Sequence, residues 1–295
     1  MDRLQEILSL EDGALFSRAG REGEAHSSRC FWSPVILAPG CATAPPCRHC
    51  KWESFKRDRP AFGQRRTLDD ILRSAELALK SGATHLLSAS GWAGYEVPDS
   101  FCEAVAALKR NFRVPVYGLY GAIHRESLLR LREAGLDGYQ CGLESPDPTV
   151  YRRFRPGGDS LEDRKETLRE AKSVGLKTWS GFLLALGLSD EAALEGLRFF
   201  REQEMDWVAI QPFVPFPGTA LEREDPTNPY RWARMMAAAR LYLDPKVNLV
   251  ATENSGGYQN FISLTGANAF FLFPGQRRPP SAVGETAAHR LSGSV

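Results

Sequence analysis

CFWSPVILAPGCATAPPCRHC (residues 30–50) carries two signals in immediate succession: a short apolar run, CFWSPVIL (30–37), and a loop that holds Cys41, Cys47 and Cys50. The run has the length and the aromatic and β-branched content of a buried strand, and the Pro-Gly pair after it breaks that strand. The next periodic segment, TLDDILRSAELALKSG (67–82), places apolar residues at helical spacing, with a threonine that can cap its start and a glycine that can end it. Strand, loop and helix in that order make the repeating unit of a parallel sheet.

Outward from this stretch the unit recurs. Strands are expected at HLLSAS (85–90), 115–120, 138–144, KTWSGFLLAL (177–186), WVAIQPFVP (207–215), VNLVAT (247–252) and AFFLF (269–273). Between them, helices are expected at 98–112, 125–134, 160–174 with Ser160 as N-cap, 189–204 and 229–242, and a shorter helical run near 258–265. Eight strands with intervening helices are the number that closes an α/β (β/α)8 TIM-type barrel, full or nearly full; an open doubly wound sheet is the alternative. The 295 residues fit one such barrel. The expected layout is an N-terminal helical extension over 1–29, the barrel over 30–275, and an irregular tail over 276–295, where a Pro-Pro pair and scattered Ser, Gly and Thr break any pattern.

With 37 basic and 36 acidic residues the chain lacks the basic excess that would favour nucleic acid or an anionic membrane, and no apolar run approaches the roughly 18 residues that span a bilayer. The six cysteines are too few for a disulfide scaffold, and three of them fall within ten positions. The expected setting is a reducing, cytoplasmic one, in which such crowding points to metal.

The cysteine loop lies after a strand, at the end of a barrel where reactive groups gather. Its Cys-x5-Cys-x2-Cys spacing offers three soft thiolates with no fourth cysteine nearby, a donor set suited to a [4Fe–4S] cluster with one open iron. A zinc knot is the alternative, with His49 or the distant Cys30 as fourth ligand. Cys30, Cys102 and Cys141, in two strands and a helix, read as small buried hydrophobes.

These residues resemble the radical S-adenosylmethionine (SAM) enzymes, in the branch of biotin synthase and the hydrogenase maturase HydE. The likeness also rests on SASGW (88–92), AGLDGYQCGLES (134–145), SLEDRKETLREAKSVGLKTWSGFLLALG (160–187), VAIQPFVPFPGTAL (208–221) and LTGANAFF (264–271). Most of the superfamily spaces its cysteines x3 then x2. The longer first arm here is similar to the HmdB (HcgA) group, associated with building the guanylylpyridinol cofactor of [Fe]-hydrogenase.

The resemblance implies that Cys41, Cys47 and Cys50 bind three irons of a [4Fe–4S] cluster and that SAM chelates the fourth. It further implies that one electron, from a donor such as a flavodoxin or ferredoxin, breaks the sulfonium bond, and that the resulting 5′-deoxyadenosyl radical takes hydrogen from a small-molecule substrate. By position and charge, His49 is expected near adenine, Ser88, Ser90 and Gly91 near the methionyl end, Glu144 at a ribose hydroxyl or the amine, Arg164 at the carboxylate, and Gln211 at adenine or substrate. For Arg164 a surface ion pair with Glu162 or Glu166 competes with that role; for the serines and Gln211, strand-end capping does.

Biotin synthase has three further barrel cysteines where this chain has Leu87, Gly118 and Trp179, so sulfur insertion by that route is not expected. Trp179 reads either as an apolar wall of the cavity or as a core residue turned to the helices. Related lyases, mutases and maturases with other substrates, and a non-catalytic zinc or Fe–S binding module, are the competing functions.

Overall fold

The computed structural model describes residues 3–26, 29–38, 40–50, 66–184, 187–251 and 258–271. Two helices, α1 (Arg3–Leu8) and α2 (Asp12–Glu24), precede β1 (Cys30–Ala38). Then come α3 (Leu68–Lys80), β2 (His85–Ser90), α4 (Asp99–Asn111), β3 (Val116–Leu119), α5 (Arg125–Glu133), β4 (Gly138–Gln140), α6 (Pro148–Phe154) and α7 (Leu161–Ser173). The chain continues with β5 (Lys177–Leu184), α8 (Asp190–Glu202), β6 (Trp207–Pro212), α9 (Pro229–Tyr242), β7 (Asn248–Ala251), a 3-10 turn (Gln259–Leu264) and β8 (Ala269–Phe271). Each strand pairs in parallel with the next, and β8 returns to β1 through Cys30↔Ala269 and Trp32↔Phe271, closing the barrel. The expected ends of three strands (185–186, 252, 272–273) and the 276–295 tail lie outside the described residues.

Alternation along the strands sorts side chains into two layers. Trp32, Leu87, Tyr117, Trp179, Trp207, Val250 and Phe271 form an inner cluster. Tyr139, Cys141, Leu143, Phe182, Val208 and Leu249 belong to the outer cluster shared with the helices. Trp179 is therefore inside the barrel, fully buried, its ring centroid 4.7 Å from Trp32 and 5.7 Å from Phe271. Gly118 faces the other way: a β-carbon there would meet Tyr120, Leu136 and Tyr139 of the outer layer, so only Leu87 and Trp179 of the three compared positions point inward.

Two features at the end of β4 bear on the site. The regular part of β4 stops at Gln140, yet the Cys141 and Leu143 amides still bond the Trp179 and Gly181 carbonyls and Glu144 bridges Phe182, so the line expected over 138–144 runs on to Glu144; there φ is +59° and the Ser145 amide turns back onto the Leu143 carbonyl at 2.6 Å. A left-handed non-glycine residue ends strand geometry. Beyond it α6, which the sequence reading lacked, starts at Asp147, whose carboxylate accepts from the amides of Thr149 and Val150 with Pro148 in the first turn. At the other end of the chain, α1 and α2 lie against α9: Arg234 of α9 reaches Asp12 and the Leu8 carbonyl, and Arg3 the Leu241 carbonyl. Among the described residues no helix is long and apolar enough to cross a membrane.

Candidate cluster and cofactor site

The cysteine loop leaves β1 at the carboxyl end of the barrel and is seated by backbone contact on two sides. Against β2, a β-carbon on Gly91 would lie 2.0 Å from the Gly40 carbonyl oxygen and 2.8 Å from Cβ of Cys41. On the α6 side, one on Gly157 would lie 2.5 Å from the Ala44 carbonyl, and the Arg48 amide donates to the Phe154 carbonyl at 2.9 Å. Only glycine permits such approaches. Cys41 Sγ lies 3.2 Å from Thr43 Oγ1, and Arg155 Nη1 donates to Cys47 Sγ at 3.0 Å.

Arg155 opens a chain of charges across the mouth of the barrel. With Nη2 it donates to Asp159, whose side chain is fully buried and also accepts from the Ala122 amide at 2.8 Å and from Arg164 Nε at 3.0 Å. Arg164 Nη1 then donates to the Gly142 carbonyl and, at 2.9 Å, to Glu144, whose other oxygen stands 3.6 Å from His49 Nε2. The order Cys47–Arg155–Asp159–Arg164–Glu144–His49 returns to the loop where it began. Burial raises the Glu144 carboxyl, but Arg164 and then His49 outweigh it, and its pKa sits well below the usual carboxylate range. The Cys47 thiol is pushed up to about 12 by burial, against the pull of Arg155. Metal coordination deprotonates a thiol and offsets that cost.

The structure brings together Cys41, Cys47, Cys50, His49, Glu144 and Arg164 on this rim. Arg164 is 4% exposed and pairs with Asp159 and Glu144 rather than with the surface carboxylates Glu162 or Glu166. Gln211 is half-buried and continues the inward register of Trp207 and Ala209 on β6, opposite Leu183. Ser90, with Gly40, Cys41, Trp92 and Phe101, lines a cleft of about 420 Å³ beside the loop. Ser88 does not join them. It is fully buried and its hydroxyl bonds Tyr120 at 2.7 Å in the helix layer, because β2 turns alternate residues outward. Gly91 contributes by admitting the loop.

Arg155 and Asp159 escaped the sequence reading. Their signal is RFRPGGDS (153–160), where a basic and an acidic residue four apart flank the glycines that pass under the loop. Without α6 in view, the arginine reads as one more surface charge.

The donor set fits a [4Fe–4S] cluster: three thiolates on one loop, seated by two backbone approaches that a side chain would block, with a buried cation on one sulfur.

The sequence matches the profile of the Radical SAM superfamily over residues 35–200. The chain belongs to that superfamily. It is 32% identical over 229 residues to the [FeFe] hydrogenase maturase subunit HydE of Thermotoga maritima, covering 75% of this chain and 65% of that one. To biotin synthase of Brucella anthropi it is 28% identical, covering 80% and 71%. In fold, this radical SAM chain resembles the crystal structure of methylornithine synthase (PylB), with a TM-score of 0.78, 22% identity and coverage of 97% and 87%. That cysteine loop, at the carboxyl end of β1, falls inside the matched region.

Proposed function

We propose that this radical SAM enzyme holds a [4Fe–4S] cluster on Cys41, Cys47 and Cys50 and acts on a small molecule inside its barrel. The observation that carries the reading is the seated three-thiolate loop at the mouth of a closed barrel whose floor is filled. Bound there, the cluster and SAM supply one-electron cleavage of the sulfonium bond and a 5′-deoxyadenosyl radical for hydrogen abstraction. The protein's own groups orient and shield. Glu144, ionised and aimed by Arg164, accepts hydrogen bonds from SAM's amine or ribose, and Arg164 Nη2, only loosely held by Asp159 at 3.4 Å, is the donor left for the carboxylate. His49, edge-on to Phe154 at 5.3 Å, forms the adenine side. Ser90 and Gln211 complete the polar contacts, and the Trp32–Trp179–Trp207 floor limits how deep a substrate descends.

The longer Cys41–Cys47 arm supports an HmdB-like role, in assembly of an iron-cofactor precursor, with electrons from a flavodoxin or ferredoxin. Leu87 and Trp179 inside the barrel speak against a second, sacrificial cluster there. Anaerobic reconstitution of the full chain tests the core of this reading. One cluster of about four irons per chain and 5′-deoxyadenosine from SAM plus reductant support it. A colourless protein that takes up zinc, or iron retained in full by the Cys41, Cys47 and Cys50 triple alanine variant, overturns it.

A further inference from the structure

Arg155 is 8% exposed, yet its guanidinium is only partly satisfied by protein. Nη2 is anchored on Asp159, Nη1 donates to Cys47 Sγ at 3.0 Å, and the buried Nε has no partner among the described residues. A buried polar group without a partner is costly and asks for a reason. The residue is also placed rather than tethered. α6 ends at Phe154, the Phe154 carbonyl takes the Arg48 amide, and Gly157 and Gly158 run against Ala44 and Thr43, so the segment on both sides of Arg155 is docked along the cysteine loop. Asp159 cannot swing away, since Arg164 and the Ala122 amide hold its other oxygen.

From this geometry we infer that Arg155 is a tuning residue for the cluster: it donates a charged hydrogen bond to the Cys47 thiolate and thereby raises the cluster's reduction potential. The inference rests on the reading that Cys41, Cys47 and Cys50 hold the cluster. When a one-electron donor is oxidised and the cluster gains its electron, negative charge grows on the ligand sulfurs. A fixed guanidinium beside one of them favours that state over the oxidised one. Thr43 gives Cys41 only a neutral hydroxyl, so the bias falls on the Cys47 side. Through Asp159 and Arg164 the same anchor reaches Glu144, which couples the loop's electrostatics to the proposed SAM contacts.

The test uses reconstituted full-length protein with Arg155→Met, Arg155→Gln and Arg155→Lys. Iron and sulfide content is measured first, then the midpoint potential by redox titration followed by electron paramagnetic resonance. Both neutral variants load the cluster and shift the reduction equilibrium about tenfold toward the oxidised form, a potential lower by ~59 mV for one electron. Arg155→Lys, which keeps the charge, recovers part of the shift. A loaded neutral variant with the wild-type potential overturns the inference. So does failure of both neutral variants to load while wild type and Arg155→Lys do, because that assigns Arg155 to loop assembly. A wild-type chain that takes up no cluster instead removes the underlying functional reading.

Discussion

Arg164 Nη1 stands 2.9 Å from Glu144 Oε1 across the gap between α7 and the end of β4, and the two residues differ in what else they hold. Arg164 is 4% exposed and also carries buried Asp159, whereas the Glu144 side chain keeps 23% of its surface open to the barrel mouth. Their substitutions therefore have different signatures. Arg164→Ala leaves Asp159 and Glu144 short of a partner in a buried setting, and is expected to cost about 3–5 kcal/mol in urea unfolding. Glu144→Gln keeps a neutral acceptor for Arg164 and should cost less in unfolding at neutral pH than Arg164→Ala, while SAM affinity, read by equilibrium binding to reconstituted protein, falls roughly tenfold to a hundredfold, the loss of one charge-assisted hydrogen bond.

The depressed Glu144 pKa fixes the pH sense of its stabilising pairing. A carboxyl ionised more readily in the folded than in the unfolded state contributes fully above its ordinary value of 4.5 and loses that contribution as pH falls toward the folded value. The stability difference between wild type and Glu144→Gln should be flat from neutral pH down to about 5 and shrink below it. A difference that instead grows on acidification would contradict the assignment.

His85 carries the opposite kind of pH dependence at the other end of the barrel. Burial lowers its pKa to about 4, with Asp137 pulling only weakly the other way, and its ring lies 4.6 Å from that of Trp32. The unfolded chain protonates this imidazole from about 6.5 downward while the folded chain resists, so stability is fully present above 6.5 and declines as pH falls toward 4. Replacing His85 with Gln should flatten that stretch of the stability profile.

Gly91→Ala puts a methyl group 2.0 Å from the Gly40 carbonyl, a clash with backbone that no rotamer relieves. The barrel does not depend on that contact, so circular dichroism should remain that of an α/β protein while the chain loses most of its capacity to take up iron and sulfide.

Trp179→Ala removes a fully buried ring that touches Trp32, Trp207 and Phe271. Truncation of a large aromatic in such a core is expected to cost about 3–5 kcal/mol. The measurement is chemical unfolding of the cluster-free chain.

Local pattern was enough for the barrel, because each strand and helix announces itself within a dozen residues: Thr67 and Ser160 both cap helices through reciprocal bonds with the residue three positions on. Strand parity was harder. Cys141, read as a small buried hydrophobe, lies on the helix side, in the cluster that holds Tyr139 and Leu143. The same alternation on β2, applied to Ser88, turns it away from the site. Arg155 and Asp159 were illegible for a different reason. Their importance comes from α6 laying a chain segment against a loop about a hundred residues earlier, and no local period encodes that.

The pairing of Cys30 with Ala269 ties together residues about 240 positions apart, and it has a consequence for biosynthesis. At ~5–20 residues per second, roughly 12–48 s separate the emergence of β1 from that of the strand that closes on it. Throughout that interval one edge of β1 stays open, and the tryptophan-rich strands that line the interior have no sealed interior to line. Ribosome-stalled or truncated chains ending before residue 269 are thus the form most in need of a chaperone. Insertion of iron and sulfide, which needs the loop seated on the segments around Gly91 and Gly157, belongs after release of those segments, not at the moment Cys50 is made.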